Sequence, residues 1–277
     1  MSSRLSRPQA LALYLVLGLG GIVMLMPLIW MVSTAAKDVS QAFRYPPELV
    51  SRPPHLTENL GQLLGIMPFL QQFANSLLVT VAITFGQLWS CSFGAYAFAR
   101  LRFRGRDALF LLYLATMMVP LQVTIIPLFL MMRTLGWLDN YPSLIVPFLF
   151  SAYGTFLLRQ FFLTIPHELE EAAQLDGASF FTIYRRIILP LSGPALATLG
   201  SFTFIWAWNE FLWPLIAINS PERMTLTVGL STLQGLYTTQ WPLLMAGALV
   251  AVIPSLIVFL SLQRFFVAGI ATSGLRR

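Results

Sequence analysis

Six apolar runs divide this chain, and the polar positions between them are few and unevenly placed. Five uncharged runs cover residues 11–32, 74–99, 108–132, 141–158 and 241–262, and a sixth, 191–217, contains one charge, Glu210. A helix rises about 1.5 Å per residue, so about 20 apolar residues cross a hydrocarbon core about 30 Å thick. A membrane β-barrel would instead show short segments of alternating polarity. The pattern predicts an all-α polytopic membrane protein, a single domain over 1–277 with helices at about 10–33, 74–99, 107–132, 141–163, 192–218 and 241–264. The fourth run is the shortest and is expected to continue past Arg159, whose head snorkels. Arg4 and Arg7 ahead of the first run give it the look of a secretory signal. Its length exceeds the 7–15 apolar residues of such a signal, so it is expected to be a retained helix.

Composition agrees: 57% of residues are hydrophobic, 10% are charged, and mean hydropathy is +0.73, where a soluble domain carries about a quarter charged residues. The net charge of +6 does not indicate nucleic-acid binding, because the basic residues flank apolar runs rather than form a patch with interleaved aromatics. They do set orientation. With the N-terminus inside, twelve of the 17 basic residues fall on inner segments and five on outer ones, so both termini are expected in the cytoplasm of a bacterial inner membrane. The tract Arg100–Arg106 between the second and third runs supplies much of this bias and reads as a topology anchor. The first outer loop, residues 37–73, contains Pro46, Pro47, Pro53 and Pro54. It is expected to be extended and semi-rigid, either a spacer or a contact for an external partner.

Several chemistries are excluded. The lone cysteine, Cys91, rules out disulfides and cysteine metal sites. His55 and His167, the only histidines, fall on opposite sides of the expected membrane and cannot share a metal. Lys37, the only lysine, lacks the preceding glycines of a phosphate-cradling loop. The chain is therefore not an enzyme of the P-loop class, and any ATP hydrolysis that drives it belongs to another subunit.

The most informative polar stretch is the loop at 166–190, on the expected cytoplasmic side, which holds four of the eleven acidic residues. Pro166 suits the first turn of a helix. Glu168, Glu170 and Glu171 follow where carboxylates complement the helix dipole, as a solvated helix start. Gly177 is placed to end that helix, and Ser179 to cap a second one whose last turn carries Arg185 and Arg186. Ala172 and Ala173 leave one face with little bulk, suited to close approach by another protein. An amphipathic interfacial helix would give the same local pattern.

Glu171-Ala172-Ala173, Asp176-Gly177-Ala178 and Ile187-Ile188-Leu189-Pro190 together resemble the EAA loop of binding-protein-dependent ABC importers. Trp208-Asn209-Glu210-Phe211-Leu212-Trp213-Pro214, Thr225-Leu226-Thr227-Val228-Gly229-Leu230 and Gln263-Arg264-Phe265-Phe266-Val267-Ala268-Gly269-Ile270 are similar to the carbohydrate-uptake branch, and to its smaller, maltose-type permease in particular. The resemblance implies a coupling helix, with Glu170, Glu171, Ala172, Ala173, Leu175, Asp176, Gly177 and Ala178 facing an ATPase subunit. It implies a homologous second permease, two ATP-binding-cassette subunits and an extracytoplasmic solute-binding protein as partners. ATP and magnesium then sit in those subunits, and this chain binds no cofactor. The branch handles maltose, trehalose, glucosylglycerol-like solutes and glycerol 3-phosphate, and the sequence does not choose among them. The loop at 221–240 is expected to meet the binding protein, with Gln234, Gly235, Leu236 and Tyr237 at its tip.

Glu210 is the one acid inside an apolar run, and a carboxylate there costs about 2.5–3.5 kcal/mol on insertion scales unless it faces protein or water. With Asn209, Trp206, Trp213 and Gln122 it forms the expected solute pathway. Pairing of Glu210 within the helix bundle, with the tryptophans as an interfacial belt, accounts for the same residues. An ion-coupled secondary transporter is the alternative function, thinly supported by one intramembrane glutamate.

Overall fold

The computed structural model describes residues 7–46, 48–235 and 239–273, side chains of 264–273 excepted. It forms two compact units, residues 1–67 with 230–252, and 68–229 with 253–277.

In the first unit, α1 (Arg7–Ala35) exposes its apolar side chains on every side from Leu11 to Trp30. Such all-round hydrophobicity belongs to a helix that meets lipid or other helices. Its end is capped from a distance. The Asn59 amide donates to the carbonyls of Ala35 and Lys37, both at 2.8 Å. Lys37 is buried with its ammonium 5.1 Å over the Trp30 ring. The single turn α2 (Val39–Ala42) starts in a reciprocal capping box of Asp38 and Gln41, and bonds from the Ser40 hydroxyl and amide lower the pKa of Asp38. The proline-rich loop is not extended throughout, because α3 (Leu56–Ile66) forms within it. Pro46, Pro47, Pro53 and Pro54 lie ahead of Leu56 and Pro68 after Ile66, so none interrupts LTENLGQLLGI.

The second unit is built on α4 (Phe69–Arg100), 32 residues long and beginning five residues before the expected start. The next three apolar runs are broken rather than continuous. α5 (Arg106–Ala115) runs through a 3-10 turn to Met118, and α6 (Leu121–Thr134) leaves it at 96°. Pro120 cannot donate the next helical hydrogen bond and holds Val119 extended. α7 (Tyr141–Ile145) and its 3-10 turn stop at Phe148, and α8 (Ala152–Phe162) restarts with Ser151 capping the Gly154 amide at 3.1 Å.

After α9 (Glu168–Leu175), α10 (Phe180–Ile183) passes through a π turn at Tyr184–Ile188 into α11 (Leu189–Leu191). α12 (Gly193–Asn209) then departs at 77°. α13 (Leu212–Ala217) and α14 (Leu226–Ser231) are short, and α15 (Trp241–Ser273) closes the order. Among the described residues four helices are long and apolar enough to cross a membrane, or up to six if each bent pair is one span.

Broken helices leave carbonyls without helical partners, and in an apolar setting those must be satisfied by other protein groups. One face of α4 supplies them. Gln87 donates to the Phe148 carbonyl at 2.9 Å, Ser90 to Leu149, and the Cys91 thiol to Ser151 at 3.3 Å. Nearer its Phe69 end, Gln72 donates to Pro221 at 3.0 Å, Asn75 to Glu222 at 2.8 Å and Met224 at 3.0 Å, while the Ser76 hydroxyl accepts from the Leu226 amide at 2.7 Å. Packing along the same face is tight. A Cβ on Gly154 would come within 2.9 Å of the Cys91 sulfur, which is why α8 needs glycine there.

Candidate functional site: the α9 loop and its anchor

α9 begins at Glu168 with His167 as its cap residue, so Pro166 lies ahead of the helix rather than in its first turn. Its end follows the sequence expectation. Gly177 has φ +79°, the Gly177 amide donates to Gln174 at 3.0 Å, and the Ala178 amide reaches back to Ala173 at 2.9 Å. This is a left-handed glycine stop with the long return bond that satisfies the last carbonyls. Ser179 caps α10, accepting from the Thr182 amide at 3.3 Å. Pro190 sits within the α10–α11 run, and the turn into α12 comes two residues later at Ser192.

The three glutamates are not equivalent. Glu168 and Glu171 are exposed, but Glu170 points inward and meets the Arg100 guanidinium at 3.0 Å, with side-chain exposures of 8% and 0%. Reading all three as a solvated helix start, and Arg100 as only a topology anchor, is corrected here. Arg100 also donates to the carbonyls of Phe162 and Ile165, the latter at 2.6 Å, and lies 3.0 Å from the His167 ring. One guanidinium therefore closes the end of α8, neutralises a carboxylate on α9 and sits at the terminus of α4, where a cation suits the dipole. The Arg-x-Arg-x-Arg-x-Arg spacing gave no sign that one arginine differs. Arg106 pairs with the adjacent Asp107 at 3.0 Å.

With Glu170 turned in, the outward surface of the loop mixes exposed apolar side chains with Glu168, Glu171 and Asp176. Leu175 is 90% exposed, and Leu169, Phe180 and Phe181 are also exposed. Ala173, Asp176, Gly177, Ala178, Thr182 and Arg186 line a groove of about 550 Å³. This surface can seat in a complementary partner but offers no catalytic pairing. Among the described residues no group of histidine, cysteine, aspartate or glutamate is placed to hold a metal.

Of the residues expected along a solute pathway, Trp206, Glu210 and Trp213 border one small cavity. The run containing α12 breaks at Glu210 and Phe211, and Glu210 caps the restart by accepting from the Trp213 amide at 3.2 Å. Trp213 is fully buried, its indole donating to the Ser143 carbonyl at 2.8 Å. The Asn209 amide bonds its own helix at the Ile205 carbonyl, 2.7 Å. Gln122 is exposed on α6. Trp206 alone faces a sizeable cavity, packing edge-on to Phe148 with centroids 5.3 Å apart. Gln234 and Gly235 are exposed, with Gln234 bridged to Thr239, while Leu236 and Tyr237 lie outside the described residues.

A further polar cluster escaped sequence reading. Asp139, at φ +56°, accepts from the Asn219 and Ser220 amides, both at 2.9 Å, and from the Ser220 hydroxyl, and it lies near Arg223. The hydrogen bonds from Ser220 hold its pKa below the usual carboxylate range. Together with Gln72, Asn75 and Ser76 it fastens the segment at 218–226. Gly229 belongs to the same arrangement, because a Cβ there would fall 1.7 Å from the Gln72 side-chain oxygen.

Residues 90–272 match the family model described as binding-protein-dependent transport system inner membrane component. The chain is 36% identical over 268 residues to the sn-glycerol-3-phosphate transport system permease protein UgpE of Yersinia pestis bv. Antiqua (strain Antiqua), covering 94% of this chain and 95% of that one. It is 37% identical over 263 residues to the protein of the same name from Salmonella choleraesuis (strain SC-B67), covering 92% and 93%. Among solved structures it resembles a chain from a bacterial ABC transporter involved in the import of the acidic polysaccharide alginate. That match has a TM-score of 0.84 and 26% identity, and covers 96% of this chain and 100% of that one.

Proposed function

The chain belongs to the family of binding-protein-dependent transport system inner membrane components, and on that premise we propose that it is the smaller, maltose-type permease of an ATP-driven sugar importer. It is an integral membrane transport subunit rather than an enzyme. In this reading each bent helix pair is one span, giving six spans with both termini in the cytoplasm. α9 is the coupling helix, seated in an ATPase subunit. A homologous permease completes the pathway, two ATP-binding-cassette subunits bind ATP and magnesium, and an extracytoplasmic binding protein delivers solute to the loop at 221–240. The solute is a sugar or sugar-like compound, a class that includes glycerol 3-phosphate and oligosaccharides.

The observation that carries the proposal is the contrast across α9. Its inner side is clamped to α4 and α8 through Arg100, while its outer side exposes Leu175 beside the Gly177 turn. A displaced partner would move α9 as a rigid piece and carry α4 and α8 with it. Motion then reaches the pathway through helix ends rather than through a flexible loop.

Gly177→Trp tests it. At φ +79° a bulky residue strains the turn and fills the groove. Solute-stimulated ATPase activity and uptake by the assembled complex should fall together, with permease assembly retained. Unchanged stimulation and uptake would remove α9 from the coupling role.

A further inference from the structure

We propose that the cavity beside the break between α7 and α8 is a subsite for an uncharged, polyhydroxylated part of the carried solute, such as a sugar ring. The inference rests on the importer reading above and adds a location and a chemistry to it. Gln87 lies 13 residues from Arg100 and 18 from Phe69 along α4, so about 20 Å from one end and about 27 Å from the other at the helical rise. In a membrane span that is close to the midplane, where a discontinuous helix is a strong pointer to a solute site.

The cavity measures about 550 Å³, within the range of small-ligand sites, about 300–1,000 Å³. Its floor is polar, with Gln87 and Thr203 more than nine-tenths buried. The Gln87 amide donates to Phe148, and its oxygen accepts from the Thr203 hydroxyl at 2.9 Å. An amide has two donors and two acceptor positions, so one of each is left on Gln87. Ser151 uses its oxygen to cap Gly154, leaving its hydroxyl proton to donate. The walls are aromatic: Phe150, Tyr153, Phe202 and Trp206, with Phe150 70% exposed at the rim. Flat rings beside a few fixed donors and acceptors match a sugar, which has an apolar C–H face and a hydroxyl edge. None of the lining residues is Asp, Glu, Lys, Arg or His. A phosphate or carboxylate therefore finds no countercharge from this chain, although the relatives named above are associated with sn-glycerol 3-phosphate and alginate.

The test uses the complete complex in proteoliposomes, with Cys91→Ser as background and single cysteines at Phe150 and Phe202. Leu111→Cys, exposed on α5, is the lipid-facing control. A small hydrophilic methanethiosulfonate reagent should label F150C and F202C at least tenfold faster than L111C. Maltose or trehalose, delivered by the binding protein or added at high concentration, should slow that labelling severalfold, and glycerol 3-phosphate should not. Labelling no faster than L111C would show that lipid or the second permease fills the cavity. Protection by glycerol 3-phosphate alone, or by no compound tried, would overturn the assignment of an uncharged solute. ATP-driven uptake by the complex with the unaltered chain is scored separately. Its absence would count against the importer reading whatever the labelling pattern.

Discussion

Replacing Arg100 with alanine removes a guanidinium that serves three helix ends at once. Glu170 would be left 8% exposed without its countercharge, and the carbonyls of Phe162 and Ile165 would lose a charged donor. Breaking one side of a buried ion pair costs about 3–5 kcal/mol, and each orphaned carbonyl adds about 1 kcal/mol or more where water cannot reach it. The expected loss is about 4 kcal/mol, since solvent at the loop relieves part of the carbonyl term. Glu170→Gln keeps the shape and loses only the charge, so about 2 kcal/mol is expected. Removing both partners in Arg100→Met with Glu170→Leu should cost less than the sum of the single changes by about 1–3 kcal/mol, because no unpaired charge remains. Thermal denaturation and limited proteolysis of the assembled complex in nanodiscs measure these losses, with cleavage in 163–180 reporting the loop itself. Binding-protein-stimulated ATPase activity, taken as a ratio to basal activity in the same sample, reads coupling apart from stability. A stability change under 0.5 kcal/mol for Arg100→Ala, or strict additivity in the double variant, would refute the anchoring role.

Gly229→Ala should be among the most damaging small substitutions outside α9. Its methyl group would overlap the Gln72 side chain, costing about 1–3 kcal/mol as overpacking, and Gln72→Ser should restore part of the loss in a melting experiment. Asp139 supplies a pH signature. Its folded pKa is depressed, so its contribution is present above the ordinary carboxylate value and is lost as pH falls through the lower folded value. Proteolytic susceptibility of the segment at 218–226 should rise only in strongly acid solution, below about pH 4. Asp139→Asn should raise it at neutral pH and flatten the dependence. Gly154→Ala should separate α8 from α4, since its Cβ would press on Cys91 and Leu199. Cys91→Ala in the same chain should relieve part of the defect.

Apolar length was enough to find the long helices among the described residues, since it follows from the cost of burying polar groups in hydrocarbon. The Gly177 turn and the Ser179 cap were also legible, because each depends on one residue and its neighbours in sequence. The breaks were not. Pro120 is an evident interruption, but the pauses at Leu149–Ser151 and at Glu210 are stable only because side chains on α4, or Glu210 itself, take up the freed backbone groups. The partners on α4 lie about 60 residues away, beyond the reach of a local pattern. Arg100 and Glu170, 70 positions apart, failed to stand out for the same reason. Each sits among like residues, and only folding distinguishes it from them. Trp213 shows the converse: an aromatic beside a polar pair suggested solute contact, and its ring is sealed in the core.

The polar face of α4 also acts as a ruler. Gln72, Asn75 and Ser76 address one broken segment, and Gln87, Ser90 and Cys91 address another, so the ten residues between Ser76 and Gln87 fix how far apart the two interruptions lie. Inserting a single residue in that interval would advance the second set by about 1.5 Å and rotate it by about 100°. The amide, hydroxyl and thiol that now meet the break after α7 would then point elsewhere. The helix itself would tolerate the insertion, but the breaks that depend on it would lose their positions. Length variation in this interval is therefore forbidden by the needs of segments that α4 does not contain.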